Sequence, residues 1–599
     1  MANPPPPYDN ITGISRAAMK DNAQVTLAEY DGNARPGELV VDQTTSIVYV
    51  GNALGDLTAV ATPGGATTWA LLSNKTGASG PTIIALGQNA GFDGQANAAV
   101  ALGQNAGAGG QGGAAISIGL NTGGNTTQGS YAVAICSSAG YDAQGEQSVA
   151  IGSSAGETAQ GNAAVAIGSG AGAANQRINS VAVGVNAGAG TQGQYSVAVG
   201  GAAGYTSQGN AAVAIGNNAG YTGQGISSVA IGNRAGLTSQ GNQSVAIGDN
   251  AGVIQGSTAV AIGQNAGGGV ALQGDDAVAI GHGAGENTQG TQSVAIGLYT
   301  GQNTQGIQSV AVGKQAGQTT QGAYSVAVGD SAGLTTQGSQ SVAVGQRAGF
   351  SNQGSIAVAI GAYAGNSAQG ERTVAVGVSA GQTSQGNNAI AIGNFAGNAT
   401  QGTYAIAIGS NAGAQGQGAN TVAIGTSAGN AQGIQSIAIG LQAGQTAQGP
   451  NNIAIGQQAG SNNQVGSSVA IGFQAGYDSQ DTQSVAIGIQ AGYSSQSLSA
   501  VAIGASTGAN TQGDSAVAVG RQAGQNSQGA FSVAVGRQAG QTSQANNSII
   551  LNATGTTLNQ TTANTFTVKP VRNGGSSGLP AGFYQMAYNP TTGEIVYYT

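Results

Sequence analysis

The chain has 599 residues, of which 109 are glycine, 6% are charged and 4% aromatic, and its formal net charge is −8. A globular core of that length needs more Leu, Phe and Trp, and a disordered chain carries more charge and less Val and Ile. The 13 Lys and Arg residues form no run and no stretch of eighteen apolar residues occurs, which excludes a basic nucleic-acid surface and a membrane-spanning helix.

What remains is a repeat architecture, in which each unit buries little and stacking supplies the rest. Residues 1 to about 80 stand before the repeat. The opening MANPPPPYDN lacks a basic region followed by an apolar one and does not read as a secretory signal. Leu39-Val40-Val41 and Ile47-Val48-Tyr49-Val50 read as strands around a Gln43-Thr44-Thr45-Ser46 turn, followed by Gly51-Asn52.

From residue 81 to 552 one sixteen-residue phrase recurs, as in QSVAIGSSAGETAQGN at 147–162. Aligned on the glycine that closes V-A-I-G, there are thirty copies, from Gly87 to Gly536 and then Asn552, with Cys136 also standing in for glycine. Nearly every step is 16; the departures are a 17 before Cys136, a 15 then an 18 between Gly248 and Gly281, and a 15 before Gly440. A period this strict predicts one solenoid coil per repeat. Apolar residues alternate at a spacing of two, so Val149 and Ile151 share one face and Ser148, Ala150 and Gly152 the other. This is a short strand, and Gly152, Gly156 and Gly161 fall where a narrow coil turns, some of them at positive φ.

Eight residues before each closing position, from the second copy onward, stands glutamine: 29 copies from Gln95 to Gln544 with no exception. An amide carries a donor end and an acceptor end. Stacked at about 4.8 Å, each can bond its neighbours above and below. Gln144, Gln160, Gln192, Gln208, Gln224 and Gln240 are therefore expected to form an inter-coil ladder that fixes register. The opposing expectation is a turn residue of no special role, which would let Asn, Ser or Glu enter. Val and Ile, with recurring Ala such as Ala155, are expected to fill each coil. That filling is thin: a buried Val or Ile gives about 1.5–3 kcal/mol against about 1–2 kcal/mol of backbone entropy per ordered residue. The small Ser/Ala face is accordingly expected to line an axis shared between chains.

Other candidate residues are sparse. His282 and Cys136 are the only residues of their kinds and lie about nine coils apart, too far to share a metal or a nucleophilic step. Cys136, in a glycine position, is expected to be small and buried. No phosphate loop and no calcium-binding G-G-x-G-x-D period occurs. No catalytic residue, cofactor site or metal site is expected. Aromatics recur five residues after the closing position (Phe92, Tyr141, Tyr205, Tyr221, Phe350, Tyr477, Tyr493) and five before it (Tyr131, Tyr195, Tyr324, Tyr404, Phe531). They read as covers over turns or subunit seams, with glycan stacking as the alternative. Residues 553–599 end in GFYQMAYNPTTGEIVYYT, in which Phe583 to Tyr588 and Glu594 to Tyr598 read as a hairpin around Asn589 to Gly593. A solenoid end needs such a cap, and Tyr584, Tyr588, Tyr597 and Tyr598 are the candidate receptor contacts.

SVAIG followed by a small-residue turn resembles the head repeat of trimeric autotransporter adhesins, the YadA-like heads. The added A-G-x-T-x-Q-G half departs from that pattern. The resemblance implies a left-handed parallel β-roll of three chains. Signal, coiled-coil stalk and membrane barrel, expected of a bacterial adhesin, are not read here. Instead NARPGELVVDQTTSIVYVGNALGDLTAV resembles the N-terminal segment of tail-fibre and other virion proteins of tailed phages, notably those of cyanobacteria, and YNPTTGEI resembles a stretch in fibre-like proteins of phages and large DNA viruses. The fold class expected is all-β: a parallel β-solenoid of about thirty sixteen-residue coils, homotrimeric, with small β-rich end domains. Residues 1–80 would attach to a baseplate, tail or capsid protein, 81–552 would form the shaft, and 553–599 the tip. The function implied is a non-enzymatic virion fibre on the particle exterior, contacting a host-surface glycan or protein receptor, with no nucleic acid and no membrane span. The alternative is a cell-surface or secreted adhesin or surface-layer protein.

Overall fold

The computed structural model describes residues 83–269 and 271–572, the strands at 39–42, 47–51 and 57–59, and residues 582, 584–588 and 595–598. Among these there is no helix. The chain forms two compact units, Met1–Gln292 and Ser293–Thr599, and both are built on parallel β-solenoid coils.

The first unit opens with an antiparallel sheet. Leu39–Asp42 pairs with Ile47–Gly51, Leu39 opposite Val50, and a third strand, Leu57–Ala59, adds to the other edge. The expected turn at 43–46 lies outside the described residues. Three-residue strands then follow, one per coil, from Ile84–Leu86 to Val278–Ile280. They stack in strict register: Val149, Ala150 and Ile151 lie against Val165, Ala166 and Ile167. Register is fixed because the backbone of each strand bonds the coils on both sides. Val165 N–H donates to Ser180 O at 2.8 Å and Gly168 N–H to Ile151 O at 2.7 Å.

The second unit repeats the pattern from Val294–Ile296 to Ile549–Asn552. The same sheet then takes one more strand, Phe566–Lys569, with Ile549 opposite Phe566 and Asn552 opposite Lys569. Near its end, Gln585–Tyr588 and Ile595–Tyr598 pair antiparallel, Gln585 opposite Tyr598; the intervening turn lies outside the described residues.

In both units a second wall faces the first. The segment ending at the invariant glutamine is itself a short strand, such as Thr158–Gln160, paired in parallel with Asp142–Gln144. Elsewhere it narrows to single bridges such as Gln176 to Gln192. Two thin parallel sheets, joined by tight turns, therefore make each coil. Gly152, at φ 130°, and Gly156, at φ 54°, turn the chain between them. Gly161 has no such φ, and its constraint is proximity: a Cβ there would lie 2.6 Å from the backbone nitrogen of Ile178 in the next coil.

The interior reverses the expected filling. Ala150, Ala155 and Ser148 are fully buried at 0% exposure, while Val149 and Ile151 are half-exposed on either side of Ala150. Ile167 and Ile360 keep 37% and 40% of their surface exposed. The reason is width. A Cβ on Gly172 would fall 2.6 Å from the amide oxygen of Gln176 and 3.3 Å from the Ala166 methyl. That interior is one extended amide and a few methyl groups wide, and two branched side chains per strand do not fit. The Ser/Ala face thus lines the coil and not an axis between chains, and the Val/Ile face looks outward.

Candidate functional site

Three rows of side chains run along the coils. The first is the glutamine row. Gln144, Gln160, Gln192, Gln208, Gln224 and Gln240 are all buried, at 0–3% exposure. Each donates its amide across the coil to the carbonyl of the first strand residue of the opposite wall. Gln144 reaches Val133 at 2.9 Å, Gln160 Val149 at 2.9 Å, Gln192 Val181 at 2.8 Å, Gln208 Val197 at 2.8 Å, Gln224 Val213 at 2.7 Å and Gln240 Val229 at 2.8 Å. In some coils, though not from Gln144, Gln192 or Gln224, the amide also donates to the next glutamine along the row. Gln128 donates to Gln144 at 2.8 Å, Gln160 to Gln176 at 3.0 Å, Gln208 to Gln224 at 3.0 Å and Gln240 to Gln255 at 3.3 Å.

In the second unit the row runs unbroken from Gln448 through Gln464, Gln480, Gln496 and Gln512 to Gln528, at 3.0–3.1 Å per link. From Gln305 to Gln385 the cross-coil bond persists at 2.8–2.9 Å, but the amide oxygens have no partner among the described residues. The cross-coil bond to the strand carbonyl therefore recurs more regularly than the bond between amides. It was not foreseen from the sequence, because no spacing rule reveals which backbone carbonyl a side chain will span a coil to meet. Its geometry explains the invariance: Asn is one methylene short of the far wall, and Glu has no donor for a carbonyl.

The second row is aromatic. Tyr205 and Tyr221 stack at 4.9 Å with their planes 5° apart, and Tyr477 and Tyr493 at 5.1 Å and 7°. Arg347 sits 5.1 Å from the Phe350 ring centre and 5.9 Å from that of Tyr363. Tyr131, Tyr195, Tyr324, Tyr404 and Phe531, on the other side of the strand, are exposed and hold left-handed φ of 56 to 60°. Of the expected receptor contacts, Tyr584 is exposed; Tyr588, Tyr597 and Tyr598 are placed on the terminal strand pair by backbone register.

The third row is the outward Val/Ile face. Each coil contributes two branched apolar side chains to it, in register with the next. A strand alternating V-A-I presents one such face, but alternation alone does not say which face is inside.

Cys136 is exposed, against the expectation of a buried residue. It occupies the rim where the strand ends and the chain turns away, at φ 94°. Among the described residues no group of His, Cys, Asp and Glu is placed to hold a metal ion, and no helix is long and apolar enough to cross a membrane.

Compared with known proteins, residues 143–171, 224–251, 273–300, 368–396, 401–428 and 417–443 match the YadA head domain repeat. No curated protein and no solved structure matches the chain. The matched stretches lie in both units and fall on the coils described above, so the solenoid carries YadA-like head repeats.

Proposed function

We propose that the chain is a homotrimeric structural fibre on the exterior of a virion, a tail or capsid fibre of a phage or large DNA virus, which adheres to the host surface and has no enzymatic role. The observation that carries the trimer is the outward Val/Ile face. An apolar stripe continuing coil after coil is far larger than a soluble monomer leaves in water, and sister chains with the same stripe at the same period cover it in register. The match to YadA head repeats supports an adhesin-like fibre built this way. The virion setting draws its support from the likeness of the end segments to virion proteins. In this reading residues 1–80 attach to a baseplate, tail or capsid protein, and 553–599 form the outer tip, with Tyr584, Tyr588, Tyr597 and Tyr598 as receptor contacts.

The head repeats suit a cell-surface or secreted adhesin equally well, and location separates the two. Gold-labelled antibody against residues 584–598 is expected to mark fibre tips on purified particles, away from the particle wall. Label found on cells free of virus, with none on particles, would overturn the virion assignment and leave the adhesin.

A further inference from the structure

We infer that the second unit carries a binding groove for a neutral oligosaccharide across the coils at residues 447–497. The position after the invariant glutamine is glycine in most coils, since a side chain there meets the next coil. A Cβ on Gly338 would stand 2.5 Å from the carbonyl carbon of Gly354. Three successive coils break this rule with Val465, Asp481 and Ser497. The inter-coil bond survives the exchange: Val465, Asp481 and Ser497 N–H donate to their partners at 2.9, 2.9 and 3.0 Å, against 2.7 Å at Gly449 and 2.9 Å at Gly193 and Gly529. Single exceptions also occur at Ala96, Arg177 and Ala545, but only here do three successive coils carry side chains at this position, and they form a row.

That row borders a groove of about 510 Å³, lined among others by Asn463, Val465, Ser479, Asp481, Ser495 and Ser497. The volume falls within the usual range for small-ligand sites. Asn463, Ser479 and Ser495, one per coil, hold left-handed φ of 47°, 58° and 53°. The same φ recurs before the invariant glutamine in other coils, as at Ala159 (53°), Asn352 (55°) and Ser527 (56°), so it belongs to the coil. On two of the same coils, three residues before Gln480 and Gln496, the Tyr477 and Tyr493 rings stack into one flat aromatic surface.

The chemistry on offer is mixed. The Tyr477–Tyr493 surface, on the same coils but outside the groove's lining, is of the kind that binds the C–H side of a sugar ring. Amide and hydroxyl groups bond its hydroxyls, and the Asp481 carboxylate, one oxygen of which already accepts from Thr482 N–H at 2.6 Å, has lone pairs left for more. No lining residue is basic, and Asp481 repels anions, so the sugar is uncharged. Coils about 4.8 Å apart repeat on the scale of one ring, which suits a linear chain lying along the row. This deepens the adhesive reading by naming a ligand class and placing it on the coils, apart from the terminal tyrosines.

The test titrates the full chain with maltohexaose, cellohexaose and chitohexaose, followed by saturation-transfer NMR. At least one is expected to bind. The triple change Val465→Gly, Asp481→Gly and Ser497→Gly restores the residue other coils carry, so it leaves the fold and its circular dichroism unchanged. It is expected to weaken that binding at least tenfold, as is Tyr493→Ala, while Tyr221→Ala, on coils with Gly209 and Gly225 after the glutamine, leaves it unchanged. No binding of any of the three sugars, equal binding by the glycine variant, or an equal loss from Tyr221→Ala would overturn the groove. None of these results bears on where the chain resides, which the gold label reads independently.

Discussion

Gln337 shows what one residue does for one coil. Its amide crosses the interior to the carbonyl of Val326 at 2.8 Å, and its aliphatic part fills the space that alanine methyls leave. Truncation in Gln337→Ala removes both, leaving a void and a carbonyl that has lost its amide donor, and is expected to cost about 2–4 kcal/mol, read as a lowered Tm by calorimetry. Gln337→Glu keeps the shape but buries a carboxyl group. Burial raises its folded pKa above the unfolded value, so its stability is complete below the unfolded pKa and is lost as pH rises through the folded one. The variant is therefore expected to melt nearer to the parent at pH 4 than at pH 7. Equal deficits at both pH values would mean that the side chain is not held in a dry interior.

At the scale of the coil, the glycines set how closely neighbours approach. Gly361 combines φ 123° with a Cβ position 2.6 Å from the carbonyl oxygen of Gly377. Gly361→Ala is expected to cost at least about 2 kcal/mol. Gly201→Ala, whose new methyl meets only the Asn217 amide oxygen at 3.2 Å, is expected to change stability by less than about 0.5 kcal/mol. Thermal melts of the two variants check the contrast. The period of sixteen and the V-A-I alternation made the parallel strands and their stacking legible in the sequence. The second wall was not, because Thr-Ala-Gln has no alternation of apolar and polar residues to mark a strand. The choice of inner face was missed for a related reason. Hydrophobicity favours Val and Ile inside, but the sheets stand too close for them. The clue was present in Ala155, Gly156 and Gln160, which recur in small or unbranched form because they share that interior. The groove at 447–497 was partly legible, since Val465, Asp481 and Ser497 were visible as exceptions; that they adjoin a cavity depends on the path of the backbone.

For the whole molecule, the outward Val/Ile face is the feature that most needs an explanation. A single chain gains little from a core of alanine, serine and glutamine, and leaves its larger apolar side chains in water. Burying them against sister chains returns about 25 cal/mol for each Å² covered, repeated over every coil. Asp substitutions at Ile360 and Ile392, which lie on this face, would place charges in that seam and are expected to dissociate or aggregate the assembly while sparing the coil interior. Sedimentation equilibrium of the full chain is the most direct measurement: the expected mass is three times the 57.3 kDa of one chain, falling in the Ile360→Asp, Ile392→Asp variant. A folded, stable species of single-chain mass would contradict the proposal that the Val/Ile face is covered by sister chains.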